Sequence, residues 1–220
     1  MDIFIFIIEL LGVAAFSLSG TVTAEKNGMD FLGTVVLGVL TAVGGGLMRD
    51  IIIGKIPPDM FINPVYSITA TLTAIIFFVI VCFPKGRKIL GGGKSKFLVD
   101  IFDTLGLTAF AITGVNTVVN MYGTLGFGFL AVFTGTITAV GGGVLRDICT
   151  AKIPVVFRKK LYAVVAILGS IIYYIMLKEG INGGLSVCVT SAVMITLRLW
   201  AMICKIDLPS AEKISKRFFG

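Results

Sequence analysis

Long apolar runs, separated by short polar segments, follow one another along the whole chain. A helix needs roughly 20 mostly apolar residues to cross the hydrocarbon core of a bilayer, and seven runs meet this requirement. They cover about residues 3–23, 31–53, 65–83, 97–119, 125–149, 161–176 and 185–203. The pattern predicts an all-α integral membrane protein with seven transmembrane helices, which we call spans 1 to 7.

Composition supports a membrane environment for these runs. Hydrophobic residues make up 56% of the chain and charged residues only 14%, whereas a soluble domain carries about 25% charged residues. Met1-Asp2 leads into the first run without a Lys or Arg. Because a signal peptide begins with a positive segment, we expect the first run to be retained as a helix.

The positive charges lie in the segments between the spans and predict the orientation. Of the 19 Lys and Arg residues, only Arg49, Lys55 and Lys178 fall on the side reached after spans 2, 4 and 6. Short loops rich in Lys and Arg stay in the cytoplasm. We therefore expect a protein of the cell membrane with its N-terminus outside and its C-terminus in the cytoplasm. This topology also explains the net charge of +7 without nucleic acid as a partner.

One sequence motif occurs twice. Residues 41–50, TAVGGGLMRD, return as residues 138–147, TAVGGGVLRD, and each copy is followed by Lys-Ile-Pro, at 55–57 and at 152–154. Tyr66 in span 3 corresponds to Tyr162 in span 6. The match extends upstream, where five residues of span 1 correspond to five of span 4: Glu9, Gly12, Ala15, Phe16 and Gly20 to Asp103, Gly106, Ala109, Phe110 and Gly114.

The repeat contains three spans, and an odd number makes the second copy enter the membrane from the opposite side. We therefore predict an inverted 3+3 repeat plus one C-terminal helix. The units are residues 1–83 for the first repeat, 97–176 for the second, 185–204 for the seventh helix and 205–220 for a cytoplasmic tail. Folds with inverted repeats commonly place their ion or substrate path between the repeats, near the midplane.

Glycine triplets lie near the middle of spans 2 and 5, at Gly44, Gly45 and Gly46 and at Gly141, Gly142 and Gly143. Each interior glycine costs about 1 kcal/mol of helix propensity relative to Ala, so a triplet favours a kink or an unwound turn. Carbonyls freed at that depth need protein, water or a cation as partner. The alternative is close helix packing through small residues. Because the triplets occupy repeat-related positions, we predict a paired break around one central path.

Charged residues lie within the spans one turn beyond the glycines. We predict that Glu9 pairs with Arg49 and that Asp103 pairs with Arg146, because each acid lies at a depth similar to that of its Arg. Intramembrane charges are costly and usually face a cavity or a partner. These pairs, together with the adjacent Asp50 and Asp147, have two open interpretations, structural ion pairs or a role in gating.

Hydroxyl and amide side chains are candidates for lining a polar path. Ser and Thr often bond back to their own helix, so each is a weak candidate alone. Asp100 and Asp103, three residues apart, attract cations near the inner mouth or balance Lys94 and Lys96. The candidates for the path are Ser17, Ser19, Thr21, Thr41, Thr113, Asn116, Thr134, Thr136 and Thr138.

The sequence disfavours catalysis. It contains no histidine, which removes His-based acid–base chemistry and His metal ligands. The four cysteines show no zinc-type spacing, and no nucleophile lies near a base. We expect no enzymatic activity, no cofactor and no structural metal.

The doubled Gly-Gly-Gly-x-x-Arg-Asp motif, the seven spans and the 3+3+1 repeat resemble the prokaryotic members of the trimeric intracellular cation (TRIC) channel family. The same proteins carry a domain named for glycine transport. The resemblance implies a homotrimer in the lipid bilayer with one pore per subunit, which passes K⁺ and Na⁺ at Gly44 to Gly46 and Gly141 to Gly143. The charged motif of the animal members near the first bend is absent, so the resemblance implies no lipid or calcium regulation.

Two functions remain open from the residues. A monovalent cation channel would use carbonyls and hydroxyls to replace the hydration shell of the ion. A secondary transporter of glycine or another small zwitterion would hold the carboxylate and the ammonium at the same breaks. The small number of helices favours the channel. A purely structural role leaves the doubled glycine motif unexplained.

Overall fold

A computed structural model of the chain describes residues 3–84, 86, 88, 94–123, 126–158 and 160–204. The predicted tail, 205–220, lies outside these residues. The helices of the described ranges are α1 Ile3–Lys26, α2 Phe31–Ile52, α3 Asp59–Ile62, α4 Val65–Cys82, α5 Lys94–Tyr122, α6 Gly128–Cys149, α7 Val155–Arg158, α8 Lys160–Lys178 and α9 Gly183–Ile203.

Seven of these helices are long and apolar enough to cross a membrane, which confirms the predicted spans. They are α1, α2, α4, α5, α6, α8 and α9. The helices are longer than some of the apolar runs, because polar residues continue them into the interface. Helix α1 reaches Lys26, and α5 extends from Lys94 to Tyr122. The short helices α3 and α7 were not predicted, because a single turn after Lys-Ile-Pro leaves no periodic pattern.

Four helices, α1, α2, α5 and α6, form the centre of the molecule. Helix α4 packs against α1 and α2, whereas α8 packs against α5 and α6, the repeat-related pair. The seventh span, α9, packs against α8 and α5 and has no counterpart in the first repeat. The fold is therefore the predicted inverted repeat with one added helix. The unit bounds 1–83 and 97–176 remain our proposal.

The prediction of an unwound turn at the glycine triplets is wrong. Helices α2 and α6 remain α-helical through both triplets. The triplets instead allow these helices to touch, because a Cβ atom added to Gly45 would overlap the carbonyl oxygen of Thr138 and one added to Gly142 would overlap that of Thr41. Close packing through small residues, the alternative interpretation, accounts for the triplets.

The periphery of the molecule is apolar, as a lipid-facing surface requires. On α4, large hydrophobic side chains three or four residues apart point away from the protein. They are Ile68, Leu72, Ile76 and Val79, each between 47% and 58% exposed. In water such a stripe would mark a contact site, whereas in a bilayer lipid tails or a second subunit cover it.

Candidate functional site: two charge clusters and a polar cavity

At one end of the helix bundle, Arg49 is surrounded by three carboxylates. Its Nη1 lies 3.5 Å from Glu9 Oε1, its Nη2 lies 3.1 Å from Asp59 Oδ2, and its Nε donates to Asp50 Oδ1 at 2.7 Å. Tyr66 donates to Glu9 Oε2 at 2.8 Å. We call Glu9, Arg49, Asp50 and Asp59 the Glu9 cluster. Arg49 is 3% exposed, so its charge is compensated within the protein.

The loop after α2 is tied to this cluster. The second oxygen of Asp50 accepts the backbone N–H of Asp59 at 2.8 Å, and Lys55 Nζ lies 2.7 Å from Asp59. Asp50 thus accepts hydrogen bonds from both the guanidinium of Arg49 and the first residue of α3. The carbonyl oxygen of Asp50 also accepts the backbone N–H of Lys55 at 2.8 Å.

At the opposite end, Arg146 forms a tighter cluster. Its Nη1 lies 2.5 Å from both Asp103 Oδ1 and Ser19 Oγ, and its Nε donates to Asp147 Oδ1 at 2.9 Å. Asp147 Oδ2 accepts the backbone N–H of Val155 at 2.8 Å, as Asp50 does for Asp59. We call Ser19, Asp103, Arg146 and Asp147 the Asp103 cluster. Arg146 is 1% exposed and Asp103 is 2% exposed.

Both ion pairs expected from the sequence, Glu9 with Arg49 and Asp103 with Arg146, are present in the structure. Their surroundings differ. Tyr66 bonds to the acid of its own cluster, whereas the ring of its counterpart Tyr162 faces Arg198 of α9, with 4.8 Å between the guanidinium carbon and the ring centroid. The seventh span therefore makes the two repeats unequal.

A polar cavity of about 510 Å³ opens beside the Glu9 cluster. Helix α1, the loop after α2, α3, α4 and the last three turns of α5 form its walls. Its mouth carries exposed side chains, among them Asn120 and Met121. The residues that line it are Ile5, Glu9, Lys55, Asp59, Tyr66, Thr113, Asn116, Thr117, Asn120 and Met121.

A second, smaller space leads from the Glu9 cluster towards the middle of the molecule. Its volume is about 30 Å³, which suffices for about one water molecule. Glu9, Arg49, Gly46 and Phe110 are among the residues that line it. This space has mainly apolar walls and extends from the Glu9 cluster to the level of Gly46, the last residue of the first glycine triplet.

Packed side chains and backbone close the centre of the bundle. The repeat-related rings of Phe16 and Phe110 lie with their centroids 5.2 Å apart, and both are almost fully buried. Beside them α2 and α6 touch at Gly45 and Gly142. In this conformation the two charge clusters are separated by a closed midplane.

The structure divides the predicted polar-path residues into two groups. Thr113 and Asn116 line the cavity, and Ser19 belongs to the Asp103 cluster. The others are engaged within the helices or lie away from the cavity. Ser17 donates to the carbonyl of Ala70 at 2.7 Å, and Thr21, Thr41, Thr136 and Thr138 each donate to the carbonyl four residues earlier.

Several site residues were missed from the sequence. Tyr66 and Phe16 were noticed as repeat positions, but a repeat alone does not say which atom a side chain touches. Asp59 follows two prolines in a loop, where hydropathy carries no signal. Arg198 lies in the span without a repeat partner, so no second copy drew attention to it.

The seven spans, the inverted repeat and the intramembrane polar site define an integral membrane protein with a polar cavity among its helices. The chain belongs to the glycine transporter family, whose sequence model matches residues 6–81 and 100–178. These segments cover most of α1 to α4 and of α5 to α8. Curated relatives include the inner membrane protein YadS of the UPF0126 group from Escherichia coli K12, 35% identical over 76% of this chain and 75% of that protein. A UPF0126 membrane protein from Vibrio cholerae is 30% identical over 94% of this chain and 82% of its own length.

Solved structures of TRIC cation channels share the fold. One, from work on conductance through these channels, is 35% identical, covers 96% of this chain and 97% of its own, and has a TM-score of 0.80. The trimeric channel orthologue from Rhodobacter sphaeroides is 26% identical, with coverages of 92% and 98% and a TM-score of 0.81. A prokaryotic TRIC channel solved in 0.5 M KCl is 29% identical. The match covers 94% of this chain and 100% of that one, and the TM-score is 0.82.

Proposed function

We propose that this protein is a non-enzymatic channel for monovalent cations, K⁺ and Na⁺, with one pathway through each subunit. The acid-lined cavity beside Glu9 carries the proposal, because it brings polar space from the surface to the charge cluster at the end of α2, and a smaller space continues from there to Gly46. Two of the solved relatives are described as cation channels. The permeating ions are the only small species we assign to the site.

The pathway we propose runs from the cavity past Glu9, between the glycine triplets, to the Asp103 cluster. Gly44, Gly45 and Gly46 and their counterparts Gly141, Gly142 and Gly143 form its closed centre, so conduction requires α2 and α6 to separate there. Thr41 and Thr138 present their backbone carbonyls at this crossing. The two Arg-centred clusters then act as gates as well as structural ion pairs.

We further propose that the Glu9 end faces the outside of the cell and the Asp103 end the cytoplasm. The excess of Lys and Arg at the Asp103 end supports this orientation. One solved relative is described as trimeric, and the apolar stripe on α4 is suited to lipid or to a neighbouring subunit. We therefore expect a homotrimer in the cell membrane.

The second candidate, a transporter of glycine, has the family's name in its favour. A cavity of about 510 Å³ is also large enough for a small amino acid. However, a zwitterion needs a cation for its carboxylate, and Arg49 already contacts three carboxylates. The geometry therefore favours a cation alone.

Flux measurements on the purified protein in liposomes separate the two candidates. A K⁺ gradient is imposed, and glycine uptake is measured in the same preparation. The channel predicts K⁺ flux that follows the electrochemical gradient, without saturable glycine uptake. Saturable, ion-coupled glycine uptake with negligible K⁺ leak would reject the channel in favour of the transporter.

A further inference from the structure

We propose that the floor of the cavity is a binding site for a single monovalent cation, formed by the carboxylate of Glu9, the hydroxyl of Thr113 and the side-chain carbonyl of Asn116. The inference rests on the proposed function and assigns a fixed position to the ion. Thr113 and Asn116 are one turn apart on α5, and all three residues line the cavity.

The repeat provides the main argument. Because Glu9 corresponds to Asp103, Ser19 on α1 occupies the position that Thr113 occupies on α5. In the Asp103 cluster, a hydroxyl from one repeat and a carboxylate from the other hold one positively charged nitrogen, Arg146 Nη1, at 2.5 Å from each oxygen. Arg146 thus demonstrates that this pair of groups accommodates a cation.

The equivalent pair at the Glu9 end is Thr113 and Glu9. Thr113 is 2% exposed, and its hydroxyl has no hydrogen-bond partner in the described part of the chain. Most intramembrane threonines here, such as Thr117 and Thr138, donate to the carbonyl four residues earlier. A buried hydroxyl that forgoes this bond beside a polar cavity retains its oxygen for a ligand.

Arg49 does not lie between the hydroxyl and the carboxylate at its end of the molecule, as Arg146 does at the other end. The first repeat carries Asp59 where the second carries Val155, and Asp59 binds Arg49 Nη2 at 3.1 Å. Arg49 Nη1 consequently lies 3.5 Å from Glu9, whereas Arg146 Nη1 lies 2.5 Å from Asp103. Asp59 thereby holds the guanidinium away from the hydroxyl–carboxylate pair and leaves room for a mobile cation.

Charge and donor type define the ligand. The carboxylates of Glu9, Asp50 and Asp59 and the cations of Arg49 and Lys55 leave one net negative charge around the cavity. One monovalent cation balances this charge, whereas a divalent cation would leave an uncompensated positive charge in a partly buried site. The donors are all oxygens, which suit a hard cation such as K⁺ or Na⁺ rather than a soft metal.

The test measures the thermal unfolding of the full chain in lipid nanodiscs while KCl replaces choline chloride at constant ionic strength. A bound cation raises the unfolding temperature in a saturable way. Thr113→Val removes the hydroxyl with almost no change in shape, and we expect it to raise the half-saturating K⁺ concentration about tenfold. Thr113→Ser retains a hydroxyl and should preserve the wild-type value.

Thr190→Val is the matched control, because Thr190 on α9 is also fully buried and its hydroxyl also lacks a partner among the described residues, but it does not line the cavity. It should leave the K⁺ dependence unchanged. Equal half-saturation in wild type and Thr113→Val would overturn the site, as would equal stabilisation by K⁺ and choline.

The outcome is separable from that of the channel assay. If the liposomes show K⁺ flux but Thr113→Val does not change how the unfolding temperature depends on K⁺, the site is rejected and the channel proposal is retained. Saturable K⁺ stabilisation that Thr113→Val weakens, in a preparation without flux, would support the site and reject the channel. Tl⁺ soaked into crystals should give an anomalous peak between Glu9 and Thr113, and a peak elsewhere in the cavity would contradict the assigned ligands.

Discussion

At the residue scale, Arg49 and Arg146 have similar neighbours in sequence and different surroundings in space. Arg146 is confined between Asp103, Ser19 and Asp147, all of which are buried. Arg49 contacts three carboxylates, two of which border the cavity. The pairing could be predicted from depth in the spans. The asymmetry could not, because it depends on Asp59 in a loop and on which hydroxyl faces which acid.

This asymmetry predicts that neutralising the two repeat-related acids lowers the free energy of unfolding by different amounts. Asp103→Asn removes the closest anion from an almost fully buried guanidinium, and breaking such a pair costs roughly 3–5 kcal/mol. Glu9→Gln should cost less, because Arg49 retains Asp50 and Asp59 and the Glu9 side chain is 12% exposed. Thermal unfolding of both variants in one detergent compares them, and an equal or larger loss for Glu9→Gln would refute the difference.

The packing at the first glycine triplet predicts that substituting Ala for two neighbouring glycines has different effects on stability. Gly45→Ala directs a methyl group into the Thr138 carbonyl, and overpacking of this kind typically costs about 1–3 kcal/mol. Gly46→Ala is the internal control, because its nearest neighbour would be Arg49 Nη2 at 3.9 Å and Ala favours the helix by about 1 kcal/mol. Unfolding temperatures should fall for the first variant and hold or rise for the second. A fall of the same size in both would argue against close packing at Gly45.

At the element scale, the apolar runs and the repeat predicted the helices and their pairing well. Hydropathy identifies a span because every backbone polar group in lipid must be bonded within the helix. The same physics explains the error at the triplets. Gly44 to Gly46 keep their helical hydrogen bonds, because neighbouring helix α6 replaces the missing side chains. Propensity measures an isolated helix and does not include that neighbour.

The direction of each helix through the membrane can be tested with the chain's own cysteines. Cys82, Cys149 and Cys204 are exposed at the ends of α4, α6 and α9, and the proposed orientation places them in the cytoplasm. Single-cysteine variants in intact cells should therefore resist an impermeant thiol reagent and react after permeabilisation. Glu179→Cys, in the exposed loop after α8, should react from outside. The reverse pattern would invert the topology.

At the scale of the whole molecule, one end of the protein contains open space and the other end is filled by side chains. The Glu9 end contains a cavity and a smaller space that reaches Phe110, whereas the guanidinium of Arg146 fills the Asp103 cluster. The midplane is closed by the aromatic pair and by the α2–α6 contact. In the channel that we propose, this is the closed conformation, and conduction would require α2 to separate from α6 and Arg146 to leave Ser19.

The apolar runs and the doubled motif allowed the overall architecture to be predicted, because a repeated unit of three spans must enter the membrane from opposite sides. The location of the entrance could not be predicted in the same way. It depends on how the loop after α2 folds back through Asp50 and Asp59, and on the last turns of α5, where Asn116 and Asn120 form the wall. Contacts between distant segments of this kind leave no periodic pattern in the sequence.

The central claim is that ions pass through the cavity, and blocking its mouth tests this most directly. In a cysteine-free chain, Asn120→Cys places a thiol on the cavity wall, and Phe129→Cys places one on the apolar surface near the same end, where Phe129 is 85% exposed. A bulky cationic thiol reagent is applied to both variants in liposomes during K⁺ flux. We predict that modification abolishes most of the flux through Asn120→Cys and leaves Phe129→Cys unchanged. Undiminished flux through fully modified Asn120→Cys would contradict a pathway through the cavity.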